Sequence, residues 1–406
     1  MLPALPVRYV LMVFLPVLAW LAVPAAMAAA CPDLQPAPVS VHCGRAPSAV
    51  FDSTGRLWVA FVQQQHVYVA RSTDLGQTFS APVPVNLIAE DIEYNGENRP
   101  KLLLASDDIL LLSWTTRTSA KFTGEIRFSR STDGGKHFAA PRTVNDDQLL
   151  TGHRFDSLYM TPSGLLYLVW LDKRDREASL ARQETYVGAA VYYAVSTDNG
   201  AHFSPNYRVA NNSCECCRIA VAAAGADGLS IMWRQVFEGS VRDHAITTLT
   251  PTGAVAMFQR ATVDRWQTDA CPHHGPALLA GGAGQYHMAW FSNGLDHRGI
   301  YYARFDFDSG RSDQIHLVDG RPGAAHPWLA AAGSRLYLVW KGFNGDATQL
   351  QLITSDNQGR SWSMPSTLLT TEQGSDHPLL VSDGSRVYLS WWTQALGYVF
   401  QALPRE

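Results

Sequence analysis

Half of the chain's six cysteines fall within four residues: Cys214, Cys216 and Cys217 stand in the run S-C-E-C-C-R at 213–218. A fourth, Cys271, opens C-P-H-H at 271–274, beside His273 and His274. Thiolate sulfur and imidazole nitrogen are the donors that suit Cu(I) or Zn(II). A thiolate-rich cluster at an accessible position favours cuprous copper, with zinc as the other candidate. The same four cysteines could instead close two disulfides, the common fate of cysteine in an exported protein. Two further histidines, His326 and His377, each precede a proline, and four arginines, Arg45, Arg99, Arg154 and Arg218, stand at related positions of a repeat. A guanidinium group binds a carboxylate or phosphate through a two-pronged fork, so four of them facing one site would make an anion receptor. Taken singly, each arginine is as readily explained by a salt bridge at a rim.

What must position these residues is an exported domain. Residues 1–30 carry Arg8, an apolar run at 10–23 and the small-residue stretch P-A-A-M-A-A-A, the pattern of a secretory signal peptide. This predicts a mature domain at 31–406 in a periplasmic or secreted location. Alanines at 28–30 before Cys31 also form a weak lipoprotein signal. An uncleaved anchor is disfavoured by Pro24 and the small residues that follow, and no later stretch is apolar for long enough to span a bilayer. The formal net charge is -4, charged residues make up 17% of the chain, and no basic block occurs, so a nucleic-acid partner is not expected. Disulfide connectivity, including whether Cys31 pairs with Cys43, is not legible.

A unit with a period in the low fifties runs through the rest of the chain. Each copy opens on Arg or His beside a Pro or small residue, passes a Gly-containing turn, and closes in an alternating strand with Trp or Phe. The openings at Arg45, Arg99, Arg154, Arg218, His274, His326 and His377 lie 51 to 64 residues apart, with closing tryptophans at Trp114, Trp170, Trp233, Trp290, Trp340 and Trp391. Four third strands run into one turn signature: S-T-D-L-G-Q-T-F at 72–79, S-T-D-G-G-K-H-F at 131–138, S-T-D-N-G-A-H-F at 196–203 and S-D-N-Q-G-R-S-W at 355–362. Asp or Asn bonds the turn backbone, Gly supplies positive φ, and the aromatic packs beneath. Asp74, Asp133 and Asp198 therefore read as turn residues and not as catalytic carboxylates.

On these turns, and on G-R-A-P at 44–47, the chain resembles the Asp-box, or BNR-repeat, families, of which sialidases are the best known. The resemblance implies a β-propeller of four-stranded blades, and regular short strands at this period favour the same architecture. The fold class expected is all-β, a single seven-bladed propeller; sialidase propellers have six blades. The last repeat stops after its third strand at 397–403, and the segment 36–42 is expected to supply the fourth and close the ring. In a propeller the first strands line the central channel. The seven openings then gather at one mouth, with an insertion at 172–186 on the same face as a lid or rim.

Three functional readings follow. The resemblance implies a sialidase: Arg45 and Arg218 match two of the three carboxylate-binding arginines, but His274 stands at the third position. The loop V-Q-Q-Q-H at 62–66 lacks the acid/base Asp, and A-H-P-W at 325–328 lacks the nucleophilic Tyr, which leaves Glu215 without a partner to activate. The second reading is a binding protein whose mouth holds a transition metal, copper or zinc, through Cys214, Cys216, Cys217, Cys271, His273, His274, His326 and His377. A small anionic ligand would then sit on Arg45, Arg99, Arg154 and Arg218. The third is a disulfide-braced scaffold that docks a protein partner.

Overall fold

The computed structural model describes Cys31, residues 37–282 and residues 284–405. The expected signal peptide at 1–30 lies outside the described residues. Seven antiparallel sheets follow one another along the chain. Each first strand contacts that of the next blade, and the first strand of the seventh blade returns to that of the first. The described chain is a seven-bladed β-propeller. First strands begin at Arg45–Phe51, Lys101–Ser106, His153–Met160, Ala220–Ala224, Ala277–Gly282, Ala325–Ala332 and Leu379–Ser382, so the repeat openings stand at or just before them.

Stability comes from seven separate cores, one between each pair of neighbouring blades. The closing aromatics fill them: Trp114, Trp170, Trp233, Trp290, Trp340 and Trp391 are all fully buried, with Phe61 in the first blade. A buried indole N–H needs an acceptor. Trp170 donates to Asp172, Trp290 to Asp264 and Trp340 to Asp319, each at 2.7–2.9 Å. Those carboxylates are committed to structure.

The four turn signatures behave as their sequence predicts. In the first, Ser72 Oγ donates to Asp74 Oδ1 (2.7 Å), Gly76 N–H to Ser72 Oγ (2.8 Å) and Thr78 N–H to Asp74 Oδ1 (2.9 Å). Asn357 takes the same place in the last turn, accepting from Ser361 N–H at 2.9 Å. Phe79, Phe138, Phe203 and Trp362 tuck beneath and pack against an inter-blade core.

Ring closure differs from expectation in its mode. The seventh sheet has three strands, and the described residues at 37–43 form no ladder with Gly397–Ala402. Prolines in P-A-P-V-S-V-H lack the N–H groups a ladder needs. The segment closes the seam with side chains instead. Val39 and Val41 join the core between the seventh and first blades, Trp392 Nε1 donates to the His42 carbonyl (3.1 Å), and Gln63 and Gln64 donate to the Ala37 carbonyl (3.3 and 3.0 Å). Cys31 is joined to Cys43 at its base.

Trp290→Phe should leave the fully buried Asp264 carboxylate short of a donor and cost about 1–3 kcal/mol. Asp133→Asn, which copies the natural turn at Asn357, should stay within about 0.5 kcal/mol of the parent. Urea midpoints of the two variants check the contrast.

Candidate functional site

The residues expected at one mouth divide into two clusters, back to back on the same segments of chain. The first is made of sulfur. Cys214, Cys216 and Cys217 are buried at the interface of the third and fourth blades. Their sulfurs lie 3.6, 3.7 and 4.0 Å apart, unbonded. Exposed Cys271 approaches from the segment before the fifth blade, where Cys216, Cys271 and exposed His273 bring donor atoms within 4.8 Å of one another. A tetrahedral ion with metal–sulfur bonds of ~2.3 Å holds its sulfurs ~3.8 Å apart. The three buried sulfurs have the spacing of ligands to one ion. Hydrogen bonds from the Cys216 and Cys217 thiols hold the Cys214 thiol well below its usual range, while Cys214 itself and burial push the Cys216 and Cys217 thiols up. Arg242 also donates to Cys214 Sγ at 3.3 Å, as a guanidinium stabilises a thiolate. One thiolate is thus formed ahead of the others.

The second cluster has a centre that the sequence reading missed, Glu97. The residue is 3% exposed. Oε2 accepts from the backbone N–H of Arg218 (3.0 Å) and of Gly275 (2.8 Å), and Oε1 accepts from the Arg218 guanidinium (2.7 Å). His326 Nδ1 and His377 Nδ1 stand 3.3 and 3.4 Å from the same Oε1. The two imidazoles stack with centroids 3.4 Å apart, and His274 continues the row at 4.6 Å from His326. Burial holds His326 and His274 down to about 3 and His377 down to about 4, so all three are neutral. Arg218, through the Coulomb attraction of its guanidinium, outweighs burial and keeps Glu97 ionised. Two glycines permit the crowding: a Cβ on Gly275 would meet Glu97 Oε2 at 2.6 Å, and one on Gly96 would meet the His377 ring at 2.1 Å.

A shared backbone device aims the mouth residues. The first strands of the first, third and sixth blades carry a bulge after Arg45, Arg154 and Ala325. The next residue in each, Ala46, Phe155 and His326, has φ of 48°, 58° and 56°. His326 therefore occupies the bulge position, one residue past the alignment expected from Arg45 and Arg154. A left-handed conformation in a residue other than glycine costs about 1–3 kcal/mol and persists only where its surroundings enforce it.

The cationic sector is internally neutralised. Arg99 pairs with Asp376 (3.1 Å), Arg154 with Glu93, and Arg218 with Glu97. Arg45 alone is exposed, its guanidinium 3.8 Å over the Trp392 ring. Lys101 is likewise answered by Asp156. Four carboxylates, Asp376, Glu93, Glu97 and Asp156, thus answer Arg99, Arg154, Arg218 and Lys101. Between the first strands lies a cavity of about 250 Å3 lined by Glu97, Arg99, Lys101, Arg218 and Trp328 among others. The 172–186 insertion forms the helix Arg174–Ala181, and Lys173 Nζ contacts Glu215 beside the cysteines. Glu215 is a tie to that insertion.

A third convergence, Asp147, His153 and Asp172, is closed off by Arg174, which pairs with both aspartates at 2.9–3.1 Å. His153 is fully buried, and its attachment to Asp147 (3.0 Å) outweighs burial and raises its pKa. Its charge-dependent stabilisation should be complete below the unfolded value near 6.5 and should fade as pH rises through the higher folded value. The destabilisation by His153→Gln should therefore be larger at pH 5.5 than at pH 9, measured as the difference in urea midpoint from the parent at each pH.

No family model matches the sequence, and no curated protein does. Solved structures match by fold. The Hadza microbial sialidase Hz136 is 15% identical over 89% of this chain with a TM-score of 0.52, and this chain spans 65% of its length. A polysaccharide lyase of family PL25, an ulvan lyase, is 10% identical over 89% of this chain and 91% of its own, with a TM-score of 0.56. A Penicillium chrysogenum α-L-arabinanase is 14% identical over 77% and 94%, with a TM-score of 0.50. The chain thus shares its architecture with propellers named for glycan cleavage, and at these identities the likeness is one of fold.

Proposed function

We propose that the protein is an exported Asp-box propeller that binds a thiophilic transition-metal ion, cuprous copper in preference to zinc, through Cys214, Cys216, Cys217 and Cys271. The observation that carries this reading is the set of three sulfur separations, 3.6, 3.7 and 4.0 Å, among buried cysteines with no disulfide. Three buried sulfurs satisfy the low coordination number of Cu(I), while exposed Cys271, with His273 beside it, offers a route for the ion to enter and leave. The Cys31–Cys43 disulfide supports an oxidising compartment and a periplasmic or secreted location. There the thiols would be protected by their metal. A site on adjacent blades of a closed ring is held by packed scaffold, which suits sequestration or delivery of one kind of ion.

Hydrolysis of sialosides is the competing reading that the fold neighbours raise. It lacks its chemistry: Arg218 is spent on Glu97, Arg45 lies on Trp392, and Glu215 is tied to Lys173.

Reduced protein should bind close to one Cu(I) with a thiolate charge-transfer absorption, and Cys216→Ser with Cys217→Ser together should abolish that absorption. A thiol titration of protein taken from its native compartment should find four thiols once metal is stripped. Two disulfides among these four cysteines would sink the reading. A fluorogenic sialoside should give no turnover between acidic and neutral pH; turnover lost in Arg45→Ala would instead establish a glycosidase.

A further inference from the structure

We propose that Glu97, His326 and His377 form a second metal site on the propeller axis, for a borderline divalent ion such as Zn(II) or Cu(II). It is independent of the thiolate site in its donors and in its test.

Distance is the first argument. His326 Nδ1 and His377 Nδ1 lie 3.3 and 3.4 Å from Glu97 Oε1. Hydrogen bonds from a neutral N–H to oxygen are mostly about 2.7–3.2 Å long. Buried His377 Nδ1 lacks an aligned hydrogen-bond partner altogether. Around a tetrahedral ion with N and O ligands at ~2.0–2.1 Å, neighbouring donors stand about 3.3 Å apart. His326 Nδ1 is within hydrogen-bond reach of Oε1 while His377 Nδ1 has no such partner, and both separations match those of two ligands on one ion. Donor availability is the second argument. Glu97 Oε2 is saturated by the Arg218 and Gly275 N–H groups, and Oε1 holds a single strong bond from Arg218, so one lone pair of Oε1 remains. Arg218 then occupies the place of an outer group that fixes a ligating carboxylate.

Reach and vacancy complete the case. The side chains of His326 and His377 are 15% and 18% exposed, so an ion reaches them from solvent. Three protein donors leave a position for water or another ligand, as in zinc sites that exchange or do chemistry. The tilted His274 ring lies 4.6 Å from His326 with its Nδ1 buried and unpartnered, next to the site but outside the converging donors. Nitrogen and oxygen donors suit a borderline ion, whereas the sulfur cluster selects a softer one. The two sites would therefore hold different metals.

The experiment uses the full chain carrying Cys216→Ser and Cys217→Ser, stripped with a chelator and titrated with Co(II) as spectroscopic probe, then with Zn(II) in competition. One equivalent should bind with visible ligand-field bands and no thiolate charge transfer. His326→Gln or His377→Gln in that background should weaken binding by about 100-fold, and added Zn(II) should raise the thermal midpoint of the parent but not of either variant. Absence of Co(II) and Zn(II) binding overturns the proposal, as does binding unaffected by either histidine substitution. Because the cysteine variant could fail to fold, the unsubstituted protein is also treated with diethyl pyrocarbonate and mapped by mass spectrometry. Zn(II) should protect His326 and His377, and equal labelling with and without Zn(II) refutes the site even where the thiol cluster loads normally.

Discussion

A single buried carboxylate organises the mouth. Glu97 enters from the segment before the second blade and meets Arg218 from the fourth, the Gly275 N–H from the fifth, His326 from the sixth and His377 from the seventh. A charge taken out of water is tolerated only when it is paired and its lone pairs are answered. Each of those groups thus depends on the others, and five blades are fixed against one another at the axis. Among the described residues, the hydrophobic cores join each blade only to its two neighbours. Such a repeat array has nearest-neighbour stability, and the axial carboxylate supplies a link between blades that do not touch through their cores.

Much of the architecture was legible because it repeats. Seven openings, six tryptophans and four turn signatures each recur at a fixed place in the blade, so a weak signal at one position is reinforced by the others. The cysteine cluster was legible too, since S-C-E-C-C-R puts three donors in one turn of chain. What sequence did not disclose is non-repetitive. Glu97 occurs in one copy, in N-G-E-N-R, two residues before an opening arginine; only the ring places it against Arg218, more than a hundred residues away. The arginines misled for the same reason. Four guanidinium groups on one mouth suggest an anion receptor until Glu93, Glu97 and Asp376 arrive to neutralise three of them. The closing strand was misjudged through its prolines, which pack well but cannot extend a ladder.

The two clusters share a wall one residue thick. Cys217 faces the sulfurs and Arg218 the carboxylate; His273 faces Cys216 and His274 lies beside His326. Neither segment is a strand, and His273 has φ of 53°, so it is the irregular backbone that turns consecutive residues toward two sites. Charge sorts the two sides. Arg242 donates to Cys214, and Arg234 spans the wall by donating to the His274 and Phe291 carbonyls at 2.9–3.0 Å. The sulfur side therefore has cations to balance thiolates. On the axial side the single carboxylate is already balanced by Arg218, and the imidazoles are neutral.

That asymmetry has a consequence for metal preference. A monovalent ion among several thiolates would leave an anionic complex, which the nearby Arg242 and Arg234 would stabilise. A divalent ion on Glu97 and two neutral histidines leaves a positive one next to Arg218, and a positive centre with an open position favours an anionic fourth ligand such as hydroxide or a carboxylate. The mouth would then select an anion through a metal and not through free arginines, all but one of which are already paired. The cavity beneath, lined by Arg99 and Lys101 with their own counter-charges in place, carries little net charge to compete for that anion. With the proposed ion on Glu97, an anion at this mouth would be drawn to it, and its affinity would follow metal occupancy.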